Sequence, residues 1–248
     1  MPYQFTVSPD FLPTQQPGWH IFNTLLQKNL GVDMHLELYD SFESQRDAIK
    51  AGKVDLIYAN PYDASILVRE KGFLPLVKPK GKSDEAMVVV NTEHASQHIE
   101  DLQPGLRIAS TADPDIQMMG MIMIEPADLN SENTTKKTCD TYVMVAKELL
   151  RGESDIGFFL SDAFNSLSGT IRNQLRPLVG SQIQVIHHTL MIGPELLNRQ
   201  DDLLRMLVSM GNDAKNGDVL ESIGLAGWDP MDLEEMEFMI DLVDTLAV

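Results

Sequence analysis

Apolar residues along this chain recur in two rhythms. Short runs with a period of two, or wholly apolar, read as strands: Tyr3–Val7, Met34–Leu38, Asp55–Ala59, Leu74–Lys78, Ala86–Asn91, Leu106–Ala109, Ile156–Leu160 and Gln182–Ile192. Stretches spaced by three and four lie between them and read as helices. Pro17 opens one with Ile21, Phe22, Leu25 and Leu26 on its apolar face, closing at Gly31. Ser44 with Asp47 forms a cap pair for a helix to Ala51, and Asn60-Pro61 supplies a cap and first-turn proline for one through Val68. Asp113-Pro114 repeats that signal ahead of Met118–Ile124, and Tyr142–Arg151 is a further helix. Ser161 or Asp162 caps the next, while Glu125 to Lys137, polar and aperiodic, reads as a long connection. From Pro194 onward the chain is helical, with Leu203, Leu204, Leu207 and Met210 on one stripe. Asp229-Pro230 then caps a last helix carrying Leu233, Met236, Met239, Ile240 and Val243.

Strand and helix alternate, which predicts an α/β fold with parallel pairing and right-handed crossovers. Two passages share one grammar. Ala48-Ile49-Lys50-Ala51-Gly52-Lys53-Val54-Asp55-Leu56-Ile57-Tyr58 and Glu148-Leu149-Leu150-Arg151-Gly152-Glu153-Ser154-Asp155-Ile156-Gly157-Phe158 each end a helix on a basic residue, turn at a glycine, and enter a strand through Asp. Chance is the competing explanation, since such joints are common in α/β folds. Read as a repeat, they predict two similar lobes with a cleft between them. The chain crosses twice, near 86–91 and 183–192, so residues 1–88 and 188–248 form a discontinuous first lobe and 89–187 a continuous second one. Two extended crossings suit a hinge, because each residue absorbs little of the rotation.

Length and charge narrow the function. A chain of 248 residues with 43% apolar content suffices for one large or two small domains. The net charge of −18 argues against nucleic acid, whose phosphates need clustered Lys and Arg. It leaves room for an anionic ligand held by backbone dipoles. The single cysteine, Cys139, excludes an internal disulfide and a Cys-rich zinc site. No apolar run is long enough to span a bilayer. Residues 1–10 hold neither Lys nor Arg, so no signal peptide is present as written. Strand-like residues begin at Tyr3, so the protein is periplasmic or extracytoplasmic if a leader was trimmed, and cytoplasmic otherwise.

An ordered set of motifs resembles the phosphonate/phosphate substrate-binding proteins of ABC transporters. It comprises Ser8-Pro9, Gly52-Lys53-Val54-Asp55, Asn60-Pro61-Tyr62, Ala112-Asp113-Pro114, Arg151-Gly152-Glu153-Ser154-Asp155 and the ending Leu220-Glu221-Ser222-Ile223-Gly224-Leu225-Ala226-Gly227-Trp228. The resemblance spans essentially the whole chain. It implies the bilobal type 2 periplasmic-binding-protein fold, two lobes joined by two hinge strands, a ligand in the interlobe cleft, and no catalysis. It further implies an ABC permease, or a sensor protein, as partner. The departures fall on the ligand loop. Where the family follows Asp-Pro with a Ser-Thr-Ser-Gly run, this chain has Asp115-Ile116-Gln117-Met118-Met119-Gly120. The family's Ser-His appears as Thr141-Tyr142, and Phe42 stands where an aromatic hydroxyl is expected. Each donor lost from a desolvated oxyanion site costs about 1.5–3 kcal/mol, so weak phosphonate binding is expected.

The candidate ligand-binding residues are therefore Ser8, Phe42, Tyr58, Tyr62, Thr111, Gln117, Met118, Thr141 and Tyr142, with tyrosines as walls and Ser8, Thr111, Gln117 and Thr141 as hydrogen-bond partners. No catalytic residue, cofactor or metal site is assigned. Met118, Met119, Met121 and Met123 could ligate a soft cation, but methionine more often packs as flexible core. Cys139 could meet a thiophilic ligand or be a small buried hydrophobe. His187-His188 point to opposite faces of a strand and read as a hinge feature, and Glu148 and Asp155 as solvated or capping. The leading reading is a solute-binding protein for a small polar or oxyanion-like ligand. The alternative is a sensor or interaction domain of the same fold whose ligand has changed or been lost.

Overall fold

The computed structural model describes residues 2–212 and 214–246. Asp213, inside the stretch read as helical from Pro194 onward, lies outside the described residues, as do Met1, Ala247 and Val248. The chain begins β1 (Tyr3–Val7), α1 (Gln16–Leu30), β2 (Met34–Glu37), α2 (Phe42–Lys50), β3 (Leu56–Ala59), α3 (Pro61–Lys71) and β4 (Leu74–Pro79). A second series follows: β5 (Ala86–Asn91), β6 (Arg107–Ser110), α4 (Pro114–Ile124), β7 (Thr135–Thr138), α5 (Tyr142–Leu150), β8 (Ile156–Leu160), α6 (Ser161–Asn165), α7 (Gly169–Arg172) and β9 (Leu175–Gly180). The chain ends with β10 (Thr189–Ile192), α8 (Gln200–Ser209), α9 (Ala214–Ser222), β11 (Trp228–Pro230) and α10 (Leu233–Leu246). Two compact units result, one from residues 2–83 with 185–244 and one from 84–184 with 245–246.

The first unit holds a six-stranded sheet in the order β11-β4-β10-β3-β1-β2. β1 pairs in parallel with β2 and β3, and β10 inserts antiparallel between β3 and β4. Both faces are covered, so alternate residues of one strand enter different cores. Leu56 and Tyr58 join Phe5, Trp19, Phe22 and Trp228, while Ile57 and Ala59 join Leu67, Met236, Met239 and Ile240. The second unit has a five-stranded sheet, β7-β6-β8-β5-β9, with a parallel β7/β6/β8 portion and antiparallel β5. α4 packs against β5 and β8, close enough that a Cβ on Gly120 would lie 2.4 Å from the Phe158 ring.

The repeated joint folds the same way twice. Gly52 and Gly152 adopt φ of 66° and 68°, a left-handed backbone that favours glycine. In one copy Lys53 N donates to Ala48 O at 3.0 Å and Gly52 N to Ile49 O at 3.1 Å. In the other, Glu153 N donates to Glu148 O at 3.0 Å and Gly152 N to Leu149 O at 3.2 Å. The aspartates that follow also match. Asp55 Oδ2 accepts from Gln4 N at 2.7 Å and Asp155 Oδ2 from Arg107 N at 2.8 Å, each clamping the start of the neighbouring strand.

Several expectations from the pattern change. Ser41, rather than Ser44, caps α2, its hydroxyl accepting from Ser44 N at 3.2 Å. Ile21 lies on the solvent side of α1, 52% exposed, and Trp19 takes the core position. The connection from Glu125 to Lys137 contains a 3-10 turn and the start of β7, an edge strand exposed at every position that carries no apolar signal. The run Gln182–Ile192 is strand only over Thr189–Ile192, and β9, interrupted by Pro177, precedes it. Neither Ser161 nor Asp162 caps α6, whose cap position is Leu160. Asp229-Pro230 belongs to β11, and Asp232 instead accepts from Glu235 N at 2.9 Å at the start of α10. Glu148 is buried, not solvated, and pairs with Lys137 Nζ at 2.7 Å, while Asp155 is bridged by Arg107 at 2.7 Å.

Candidate functional site

In an open α/β sheet the carboxyl ends of parallel strands and the starts of the following helices form the binding end. In the first unit that end is made by Ser8 after β1, by Tyr58 and Asn60 at the end of β3, and by the first turns of α2 and α3. Asn60 caps α3: its Oδ1 accepts from Asp63 N at 2.7 Å, and its Nδ2 reaches Asp63 Oδ2 at 2.9 Å and Ser8 Oγ at 3.3 Å. Ser8 is fully buried and its N donates to Tyr58 O at 2.8 Å. The Tyr58 ring stacks on His188 at 5.1 Å, and His188 Nε2 lies 2.9 Å from Asp10 Oδ2. Burial alone would push the Asp10 carboxyl up. The charge of His188 and hydrogen bonds from His188 and Ser8 outweigh it, so the carboxyl sits below the usual carboxylate range.

A second ion pair stands beside the first. Arg46 of α2 binds Asp63 of α3, and its guanidinium lies over the rings of Tyr62 and Phe42. Burial pushes the Asp63 carboxyl up despite Arg46 and Asn60, which act in the opposite direction. Phe42 is buried, whereas Tyr62 is 42% exposed. The structure thus brings Ser8, Phe42, Tyr58 and Tyr62 to one end of the unit. Sequence reading missed the four charged residues among them. His187 and His188 follow neither a strand nor its alternation: His187 Nδ1 meets Lys82 O at 2.8 Å, and His188 turns to Asp10.

The second unit builds its end from closer neighbours. Asp113 caps α4, Oδ1 accepting from Asp115 N at 3.1 Å and Ile116 N at 3.3 Å, while Oδ2 accepts from the Tyr142 hydroxyl at 3.0 Å. Thr141 caps α5, its hydroxyl accepting from Met144 N at 3.3 Å. Tyr142 is buried and stacks on Phe159 at 5.9 Å. Gln117 is held by both ends of its amide, Nε2 to Thr111 O at 2.5 Å and Oε1 from Lys136 Nζ at 2.6 Å. The hydroxyls of Ser110 and Thr111 are buried and have no hydrogen-bond partner among the described residues. Thr111, Gln117, Thr141 and Tyr142 therefore lie at or beside the starts of α4 and α5, which the Tyr142–Asp113 hydrogen bond joins. Met118 is half-buried, as are Met121 and Met123, and Met119 is in the core.

Cys139 is buried, and burial, then Glu148, pushes its thiol up, which lowers its reactivity. Among the described residues no group of three or more His, Cys, Asp or Glu side chains is placed to hold a metal. No described helix is long and apolar enough to cross a membrane.

The model of the phosphonate periplasmic substrate-binding proteins of ABC transporters matches residues 5–236. The chain belongs to this family. Its fold is shared by PhnD1 from Prochlorococcus marinus (MIT 9301), solved with methylphosphonate, at a TM-score of 0.84 and 12% identity over 99% of this chain and 98% of that one. A binding-protein component of a phosphonate ABC transporter from Pseudomonas aeruginosa matches at a TM-score of 0.77 and 12% identity, covering 99% and 88%. The alkanesulfonate-binding protein SsuA from Xanthomonas axonopodis pv. citri, solved with MOPS, matches at 0.67 and 12%, covering 98% and 92%. No curated protein matches in sequence. The bilobal periplasmic-binding fold is thus this protein's fold, and solute binding is its family's role.

Proposed function

We propose that this protein is the extracytoplasmic receptor of an ABC importer, that it captures a small polar or oxyanion-like solute, and that it performs no chemistry on it. The contacts would come from Ser8, Phe42, Tyr58 and Tyr62 on one lobe, 1–88 with 188–248, and from Thr111, Gln117, Met118, Thr141 and Tyr142 on the other, 89–187. The observation that carries the reading is the Thr111 hydroxyl just before α4, buried and unpartnered among the described residues. A buried hydroxyl without a partner costs about 1–3 kcal/mol, which a bound ligand oxygen or N–H would recover. Its partner in transport would be a permease, and its compartment the periplasm. The buried, weakly acidic Cys139 gives no support to a thiophilic ligand.

A thermal-shift panel of small anions, amino acids and neutral polar solutes tests this. Binding to the folded state alone stabilises by about 2.7 kcal/mol at a ligand concentration of 100 Kd. At least one solute should raise the Tm, and Thr111→Val or Tyr62→Ala should abolish that rise. A panel with no stabiliser would leave the sensor or partner-binding domain as the better account.

A further inference from the structure

Arg46 is distinguished by what surrounds its guanidinium. Nε donates to Asp63 Oδ1 at 2.5 Å and Nη2 to Asp63 Oδ2 at 3.4 Å. Cζ lies 4.6 Å from the centroid of the Tyr62 ring and 5.5 Å from that of Phe42. A carboxylate on one edge and aromatic rings beside it fix the plane of the group. Guanidinium carries five N–H donors in a rigid fork, and Asp63 engages only the Nε/Nη2 edge. Nη1 has no hydrogen-bond partner among the described residues. The Arg46 side chain is 22% exposed while that of Asp63 is wholly buried. Water therefore reaches the arginine and not its counter-ion, and Tyr62 is itself 42% exposed.

A purely structural ion pair would need none of this. It would hold with both ends of the fork turned inward, and it would not need an exposed ring against the guanidinium. The arrangement is a fork held ready with its outer edge unused. Its charge is already largely answered by Asp63, and the neighbouring His188 is answered by Asp10. A doubly charged oxyanion would meet two pairs that are each already close to neutrality. A singly charged acid group with two acceptor oxygens suits the outer Nη1/Nη2 edge better.

We propose that Arg46 is the residue of the first unit that reads the ligand, and that the ligand presents a singly charged acid group, a carboxylate or a sulfonate, rather than a phosphonate dianion. This rests on the receptor reading and assigns that receptor's ligand class. Asp63, Phe42 and Tyr62 are positioning residues for the fork.

Calorimetry at neutral pH with propionate, methanesulfonate, methylphosphonate and the uncharged propionamide tests the assignment. Propionate or methanesulfonate should bind about tenfold or more tighter than propionamide and than methylphosphonate. The double variant Arg46→Gln/Asp63→Asn replaces the ion pair by an uncharged pair of similar shape, so it avoids stranding a buried carboxylate. It should lose that preference about tenfold or more. Arg46→Lys, which keeps the charge and lacks the fork, serves if the double variant does not fold, and it should weaken acid binding likewise. The inference is overturned if methylphosphonate binds tightest, if propionamide equals the acids, or if the variant binds the acids as the parent does. In those cases a stabiliser in the thermal-shift panel would still uphold the receptor reading. Silence of all four probes and of the panel would overturn both.

Discussion

The two units share a joint and differ at their binding ends. After α2 and after α5 the chain makes the same glycine turn and the same aspartate clamp onto the neighbouring strand, at Asp55–Gln4 and Asp155–Arg107. At the strand ends the likeness narrows to the hydroxyl caps of α2 and α5, Ser41 and Thr141. The first unit assembles its end from two ion pairs, Asp10 with His188 and Arg46 with Asp63, the former joining residues far apart in the chain. The second assembles its end around one capping carboxylate, Asp113, and the tyrosine that donates to it. Backbone scaffolding is repeated, while the chemistry laid on it is not. On the receptor reading proposed above, recognition of charge would fall to the first unit, where the ion pairs stand.

That contrast can be broken by substitution. Arg46→Gln alone strands the buried Asp63 and should destabilise the first unit by about 3–5 kcal/mol in denaturant melts, softened by Asp63 protonation. A loss under about 1 kcal/mol would show that the pair is a surface contact. Smaller effects are expected where helices pack closely. A Cβ at Gly18 would lie 2.5 Å from the Ser222 carbonyl oxygen, and one at Gly120 would lie 2.4 Å from Phe158. Gly18→Ala and Gly120→Ala should each cost about 1–3 kcal/mol by overpacking, despite alanine's better helix propensity. A stabilising result in either would mean that the helix shifts freely. Asp113→Ala should cost the second unit about 1–2 kcal/mol through loss of the cap.

Acid titration sharpens the same comparison with a smaller signal. Asp10 and Asp155 have folded carboxyls held below the unfolded value, so the stability they contribute is present above about pH 4 and is lost as pH falls through their lowered values. For Asp155 the hydrogen bond from Arg107 is the leading cause. Asp63 has the opposite sign: raised by burial, it contributes stability at low pH that is lost as pH rises through its folded value. The first unit therefore contains offsetting carboxyls. Both tryptophans, Trp19 and Trp228, are in the first unit, so their fluorescence reports on it alone. Circular dichroism should show loss of structure at a higher pH than tryptophan fluorescence does. Coincident transitions would contradict the offset.

What the sequence disclosed follows the range of each interaction. Asn60-Pro61 and Asp113-Pro114 announce helix starts because cap and first turn are adjacent, and Gly52 and Gly152 announce turns for the same reason. The candidate residues of the second unit likewise lie at helix starts readable from neighbours. The ion pairs of the first unit were not legible, since Arg46 reads as an ordinary basic residue on a helix until α3 lays Asp63 beside it. β7 was hidden because an exposed edge strand of Thr and Lys has no apolar period. His187-His188 misled because alternation was assumed where the backbone is not a strand.

Hydrogen exchange of the protein with and without the solute that most raises its Tm is the most direct test of solute capture at these strand ends. The account predicts slowed exchange of amides in 41–46 and 60–63 of the first unit and in 111–117 and 141–144 of the second. Unchanged exchange at both ends, with protection elsewhere on the molecule, would contradict it.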